Sequence, residues 1–431
     1  MKTKLVVAIY ALTLSTLGNL SAEENKAAIY DADPAHLWNR MHRAFFERPD
    51  SKLDVPDLDS VDPPLWQNSS HLKSGPGYRE AIAVLDEFLA DDEKAISDPL
   101  KRAVMQHDLW SVFDWSATRY SADVAADRNL ETLQSRLAGA IGKLALNAEE
   151  IASLPDNLDA ATAGDVFAEE FDLENPKTPF LPRDLFDAKG GWVCVRGAMD
   201  GASAPVHTRY YRSRSPFLVF VKLPAGREAT VRYLNELNQV TTQVVKHGDT
   251  ELPQFPVGTA VALLRQMTVI DTAGNIRVTP LTQTLQMRVY REVGEAVTDH
   301  EKSQQPIKFR LGRARLFAGK NGGLEQISWT APLRVSLLNR DDVYERKDPS
   351  AHGPIDTVMA SCIACHSCGG ATPHGIFTYK QDDWVMGGQS LAPKSLRLTA
   401  TNPDLESKRT VELKTKRAEW ELLRGLLGRA D

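Results

Sequence analysis

The sequence lacks the short signatures of the commonest enzyme chemistries. It has no G-x-S-x-G turn, no H-E-x-x-H helix, no P-loop and no G-x-G-x-x-G joining a strand to a helix. Basic excess is missing too. Fifty-one Lys and Arg against 57 Asp and Glu give a formal charge of −6, spread along the chain, so no cationic stripe offers the counterion release on which nucleic-acid binding depends. Aromatic residues are only 7% of the total, and no repeat or low-complexity tract stands out. Cysteine is scarce, four in 431 residues, and three of the four fall together at Cys362, Cys365 and Cys368, with Cys194 far upstream. A disulfide framework spreads its cysteines out; this crowding is the arithmetic of a metal or haem site.

What remains is ordinary globular material, 42% hydrophobic and 25% charged, long enough for two or three domains. One apolar run stands at the N-terminus. Lys2 and Lys4 precede Leu5 to Leu17, and Leu20-Ser21-Ala22 ends in a small residue before Glu23-Glu24. Residues 1–22 therefore read as a secretory signal peptide, too short an apolar stretch for a membrane anchor. Its removal takes two lysines and no acids and leaves a mature charge of about −8. No later segment is apolar enough to span a bilayer, and the twin-arginine pattern is absent. The expectation is an exported protein, periplasmic or extracellular, that receives any cofactor after translocation.

The pattern along the chain predicts a multidomain α+β protein. Residues 23–174 read as a helical domain. Asp33-Pro34 makes a helix start before Leu37, Met41 and Phe45; a second helix runs from about Tyr78 to Leu89; Asp98-Pro99 opens a third. Leu130, Leu133, Leu137, Ile141 and Leu144 give the clearest 3.6-residue period, and Asn147 and Glu150 have capping-box spacing. Residues 175–345 read as a β-rich domain. Phe217–Val221 is a buried-strand run, Leu285, Met287 and Val289 alternate with polar residues, as do Ile307, Phe309 and Leu311, and Asp271–Asn275 forms a hairpin loop. One helix, about Glu228 to Leu237, interrupts the strands. Six arginines, Arg209, Arg212, Arg214, Arg310, Arg313 and Arg315, are expected on solvated strand faces, as arginine is usually exposed. Residues 346–431 form a last, mainly helical segment closing with a helix near 405–428, on which Leu413, Trp420, Leu423 and Leu427 share a face.

That segment holds Cys362-Ile363-Ala364-Cys365-His366, a C-x-x-C-H sequence. Two thiols at this spacing suit addition to the two vinyl groups on one porphyrin edge, and the adjacent imidazole suits the iron, so a few residues fix both bonds and a ligand. The expectation is one haem c per chain, with Cys362 and Cys365 as thioether positions and His366 as proximal iron ligand. Two other readings share the residues. Cys362, Cys365, Cys368, His366 and His374 supply enough donors for a structural zinc site. An iron–sulfur run would need a fourth cysteine where Thr372 stands, before Pro373. Cys368 is also a candidate disulfide partner for Cys194.

At this motif the C-terminal segment resembles the class I c-type cytochromes, a likeness covering about a fifth of the chain. The resemblance implies a small helical fold, a distal methionine and a C-terminal helix over the haem edge. Met386, the one methionine downstream of the motif, matches the distal position, though it lies nearer the motif than the family pattern has it. Gly353-Pro354 also leaves room for only a short helix before Cys362. The remainder resembles exported bacterial proteins of unassigned function. The implied role is electron transfer with a redox partner protein rather than catalysis. The alternatives are a five-coordinate haem enzyme or sensor for a gas or peroxide, and a non-redox exported protein with zinc at the same cysteines.

Overall fold

The computed structural model describes residues 29–46, 59, 61, 70–90, 96–117, 124–164, 166–175, 178–197, 202–239, 255–293, 304–328, 331, 385–386, 389–390 and 398–428. The elements in chain order are α1 (Leu37–Phe46), α2 (Gly75–Ala90), α3 (Pro99–Ser116), α4 (Val124–Lys143), α5 (Ala148–Ala152), α6 (Asn157–Thr162), β1 (Val193–Gly197), α7 (Pro205–Tyr210), β2 (Phe217–Lys222), α8 (Arg227–Gln239), β3 (Ala260–Ile270), β4 (Ile276–Tyr290), β5 (Gln304–Leu311), α9 (Arg313–Phe317), β6 (Leu324–Gln326), β7 (Val385–Met386), β8 (Gln389–Ser390), β9 (Leu398–Ala400), α10 (Pro403–Thr415) and α11 (Ala418–Leu427). The fold is mixed α+β, as the sequence pattern predicts. None of the described helices is long and apolar enough to cross a membrane.

Helix starts follow local chemistry. Asp98 caps α3, its carboxylate accepting from the Leu100 and Lys101 amides, with Pro99 inside the first turn, where its missing N–H costs nothing. Asn147 and Glu150 close a capping box at α5, each side chain accepting from the other's backbone N–H at 2.9 Å. Replacing Asn147 by alanine leaves an N-terminal amide unsatisfied and is expected to cost about 1 kcal/mol, read as a lower denaturation midpoint at unchanged slope. The first helix begins one turn later than Asp33-Pro34 suggests. The His36 amide donates to the Asp33 carbonyl in a separate turn, which Asn39 holds by donating to the Asp31 and Asp33 carbonyls, both at 2.8 Å.

Among the described residues the main sheet has seven strands in the order β6-β5-β4-β3-β2-β1-β9. Every neighbouring pair is antiparallel, so the two outermost strands, six steps apart, run in the same direction. The β3–β4 hairpin turns where Asp271–Asn275 predicts. The Asp271 carboxylate accepts from the Ala273 and Asn275 amides, and Gly274 takes φ +75°.

Period-two alternation splits the sheet into two faces. One carries Cys194, Leu218, Phe220, Ala262, Leu264, Leu285, Met287, Ile307 and Phe309, and joins the helical layer in one hydrophobic cluster reaching from Tyr30 to Leu423. Residues of the N-terminal helices and of the sheet contribute to that cluster alike. The other face carries Val193, Val195, Val219, Val221 and Val261 under Tyr233 and Leu234 of α8. The predicted closing helix is two helices, α10 and α11, broken at Lys416 and Arg417. Trp420 and Leu423 join the helical cluster, the Trp420 ring lying 5.7 Å from that of Trp110. β9 and α10 thus tie the end of the described chain to the sheet and helices rather than leaving it as a separate lobe.

Glycine is required at Gly322. Its φ is +58°, and a Cβ there would lie 1.8 Å from the Asn157 carbonyl oxygen. The close approach lets the Asn157 amide donate to the Gly322 and Thr282 carbonyls, both at 3.0 Å, which knits α6 to β4.

Candidate functional site

The residues that the motif singles out, Cys362, Cys365 and His366, lie outside the described residues, as do Cys368 and His374. Met386 falls in β7, which pairs with β8 as Met386 opposite Gln389, but its side chain is outside the description. Cys194, the partner proposed for Cys368, is a buried thiol on β1, pushed up to about 12 by burial and then by the Glu406 carboxylate. Among the described residues no group of three or more His, Cys, Asp or Glu is arranged to hold a metal ion.

The geometry that the described residues do offer is a buried polar network centred on α3. From Ala103 to Ser116 every residue of that helix is buried, so it has no solvent face on which to place its acids. Gln106 donates to the Ile141 and Ile270 carbonyls at 3.1 and 2.8 Å and accepts from the Ile270 amide at 2.8 Å, saturating its side chain between α4 and β3. Asp108 accepts from Nε of Arg313 at 3.0 Å and also from its Nη2, a fork-to-carboxylate pair with both side chains at 0% exposure. Asp114 Oδ2 accepts from Arg214 at 2.8 Å and from Lys414 at 2.7 Å, and Lys414 also reaches Glu419 at 3.5 Å. Burial draws the Lys414 ammonium below its ordinary range, against the pull of Asp114 and Glu419.

Between the two ion clusters sits His107. Its Nδ1 lies 2.7 Å from the Thr268 carbonyl oxygen, which makes Nδ1 the donor and leaves Nε2 as an acceptor 3.5 Å from Ser215 Oγ. Ser215 donates to Gln283 at 2.9 Å. The turn before it holds Arg212 and Ser213 at φ 50° and 57°, a conformation costly for residues with a side chain. A serine beside a neutral imidazole is the ingredient list of a nucleophile and its base. Here Ser215 and His107 are both fully buried, and their hydrogen bonds to Gln283 and the Thr268 carbonyl join the helical layer to the sheet.

Two arginines expected on solvated strand faces are therefore core residues. Arg214 and Arg313 are 5% and 0% exposed, and neither lies in a strand: Arg214 follows the strained turn, and Arg313 opens α9. Each is buried because an acid of α3 needs a cation. A third buried arginine, Arg265 on β3, stacks its guanidinium 3.5 Å from the centroid of the Tyr211 ring. The chain matches no protein-family model, no curated protein and no solved structure.

Proposed function

We propose that the protein is an exported mono-haem c-type cytochrome-like electron carrier. The observation that carries this reading is the C-x-x-C-H spacing at Cys362, Cys365 and His366, on a chain whose first 22 residues read as an export signal. The donor set fits the group: two thiols and one imidazole within five residues supply every covalent and proximal contact that a haem c takes from its chain. When bound, the haem supplies a one-electron ferric–ferrous couple. Cys362 and Cys365 would hold the haem through thioether bonds, His366 would be an iron ligand, and a methionine ligand at Met386 would raise the potential. Electron transfer in this reading calls for a redox partner protein.

The test is a denaturing gel stained for haem peroxidase activity, using protein from a host able to attach haem c. Stain is expected to stay with the unfolded wild-type chain and to vanish in the Cys362→Ala/Cys365→Ala variant. A colourless mature protein holding zinc would end the reading, since Cys368 and His374 complete a zinc donor set. Carbon monoxide added to the ferrous form separates carrier from sensor: an unchanged spectrum belongs to a six-coordinate haem, a shifted one to an open site.

A further inference from the structure

The contacts that hold β9, α10 and α11 to the rest of the fold are unusually polar. β9 is a three-residue edge strand, and among the described residues it pairs with β1 alone, Val195 opposite Ala400. Just beyond the ladder the Thr401 amide donates to the Cys194 carbonyl at 2.9 Å. α10 then packs against β2, and its further connections run through polar side chains. Ser407 donates to Gln266 of β3 at 2.9 Å, Lys414 donates to Asp114 of α3 at 2.7 Å, and Glu406, 2% exposed, accepts from Ser203 at 2.9 Å. Fully buried apolar anchors come from α11, at Trp420 and Leu423.

Other bonds of these elements are local to them. Asn402 caps α10 by accepting from the Asp404 amide, Thr401 and Arg409 both donate to Glu406, and Arg417 pairs with Glu419. Residues 398–428 keep these bonds if they leave the sheet. What they give up is a short ladder, two apolar anchors, and a set of charges and hydroxyls that water solvates again. An interface of this composition allows motion of one part against the other, at a free energy below that of global unfolding. The β3–β4 hairpin, flanked on both sides by paired strands, has no such exit.

One reactive group lies under this cover. Cys194 stands opposite Phe220 on β1, is 4% exposed, and belongs to the hydrophobic cluster against which Val411 of α10 packs. Burial, and then the nearby Glu406 carboxylate, hold its thiol protonated at about 12. With α10 displaced, the same thiol meets water and returns towards its ordinary value of about 8.5, so access and thiolate arrive together.

We propose that residues 398–428 form a clasp that opens as one unit while the other described helices and strands stay folded, and that this opening gates the reactivity of Cys194. Closed, the clasp keeps the sulfur inert; open, it supplies a nucleophile beside the freed edge of β1. The inference goes beyond the haem reading and does not depend on it, since none of its parts belongs to the C-x-x-C-H motif.

The test pulses full-length protein with N-ethylmaleimide at guanidinium concentrations below the global transition. Mass spectrometry then follows the peptide containing Cys194, the one cysteine before Cys362, together with amide exchange over residues 398–415. Labelling and exchange are expected to share one denaturant slope, shallower than that of global unfolding because less surface is exposed. The Ser203→Ala/Ser407→Ala variant removes two hydrogen bonds across the clasp and should label roughly tenfold faster. Asn147→Ala, which weakens α5 outside the clasp, should label at the wild-type rate despite its lower global midpoint. A Cys194 slope equal to that of global unfolding overturns the proposal, as does faster labelling in Asn147→Ala. Labelling of native protein at the rate of an unfolded chain, or a Cys194 already held in a disulfide, overturns it too, because the closed clasp then fails to cover the sulfur. If the serine variant does not fold, the wild-type slopes and Asn147→Ala still decide between these outcomes.

Discussion

Replacing Asp114 by alanine is expected to remove about 3–5 kcal/mol of folding stability, the usual consequence of taking one partner from a buried ion cluster. Its Oδ2 receives Arg214 from the turn before β2 and Lys414 from α10. Without it two buried cations lose the carboxylate they share, while Glu419 stays 3.5 Å from Lys414. Their attraction to a carboxylate is not what is chiefly lost; the penalty is the desolvation of charges that have lost a shared counter-charge. Chemical denaturation should show the drop, and the Asp114→Ala/Lys414→Met variant should recover part of it, since one orphaned charge leaves with its partner. A single variant within 1 kcal/mol of wild type would mean that water or another carboxylate already solvates the cluster. The same bond has a topological role. Residues 114 and 414 join α3 to the helix that follows β9, so this cluster pins the chain where it re-enters the described fold at β9 and α10. Weakening it should loosen that re-entry before it loosens the β3–β4 hairpin.

Local chemistry made much of the fold readable in the sequence. The Asp98 cap, the Asn147–Glu150 box, the α4 stripe and the Asp271 turn each depend on residues within a few positions of one another, and each is found as predicted. The polar core was not readable in this way. Asp108 meets Arg313 across 205 positions, and Asp114 meets Arg214 and Lys414 across 100 and 300, so nothing in either neighbourhood names the partner. A usable sign was present in α3 itself. Its segment mixes Gln106, His107, Asp108 and Asp114 with Trp110, Val112, Phe113 and Trp115 around the whole circumference, leaving no side for water. Acids on such a helix require buried cations, and recurrent arginines are where to seek them. The C-x-x-C-H sequence is the reverse case. Its spacing is visible within five residues and needs no tertiary partner to be noticed, which is why the proposal for function rests on spacing while the core had to be seen.

Acid should unfold the protein partly through His107. The folded environment lowers this imidazole from near 6.5 to about 3, chiefly by burial and then by the Arg214 guanidinium, while Asp108, Asp114 and the Thr268 carbonyl pull the other way. The unfolded chain takes up the proton near the ordinary value of ~6.5. Between those limits the unfolded state binds more protons, so the contribution is fully present above pH ~6.5 and is lost as pH falls towards 3. The loss is on the order of a few kcal/mol for a fully buried ring. His107→Asn retains a side-chain donor for the Thr268 carbonyl but cannot titrate. Its stability should be lower than wild type at neutral pH, because the ring's packing against Trp110 is lost, yet should fall less steeply between pH 6.5 and 4. Equal slopes for the two proteins, measured by denaturant titration at each pH, would remove His107 as the acid-sensitive group.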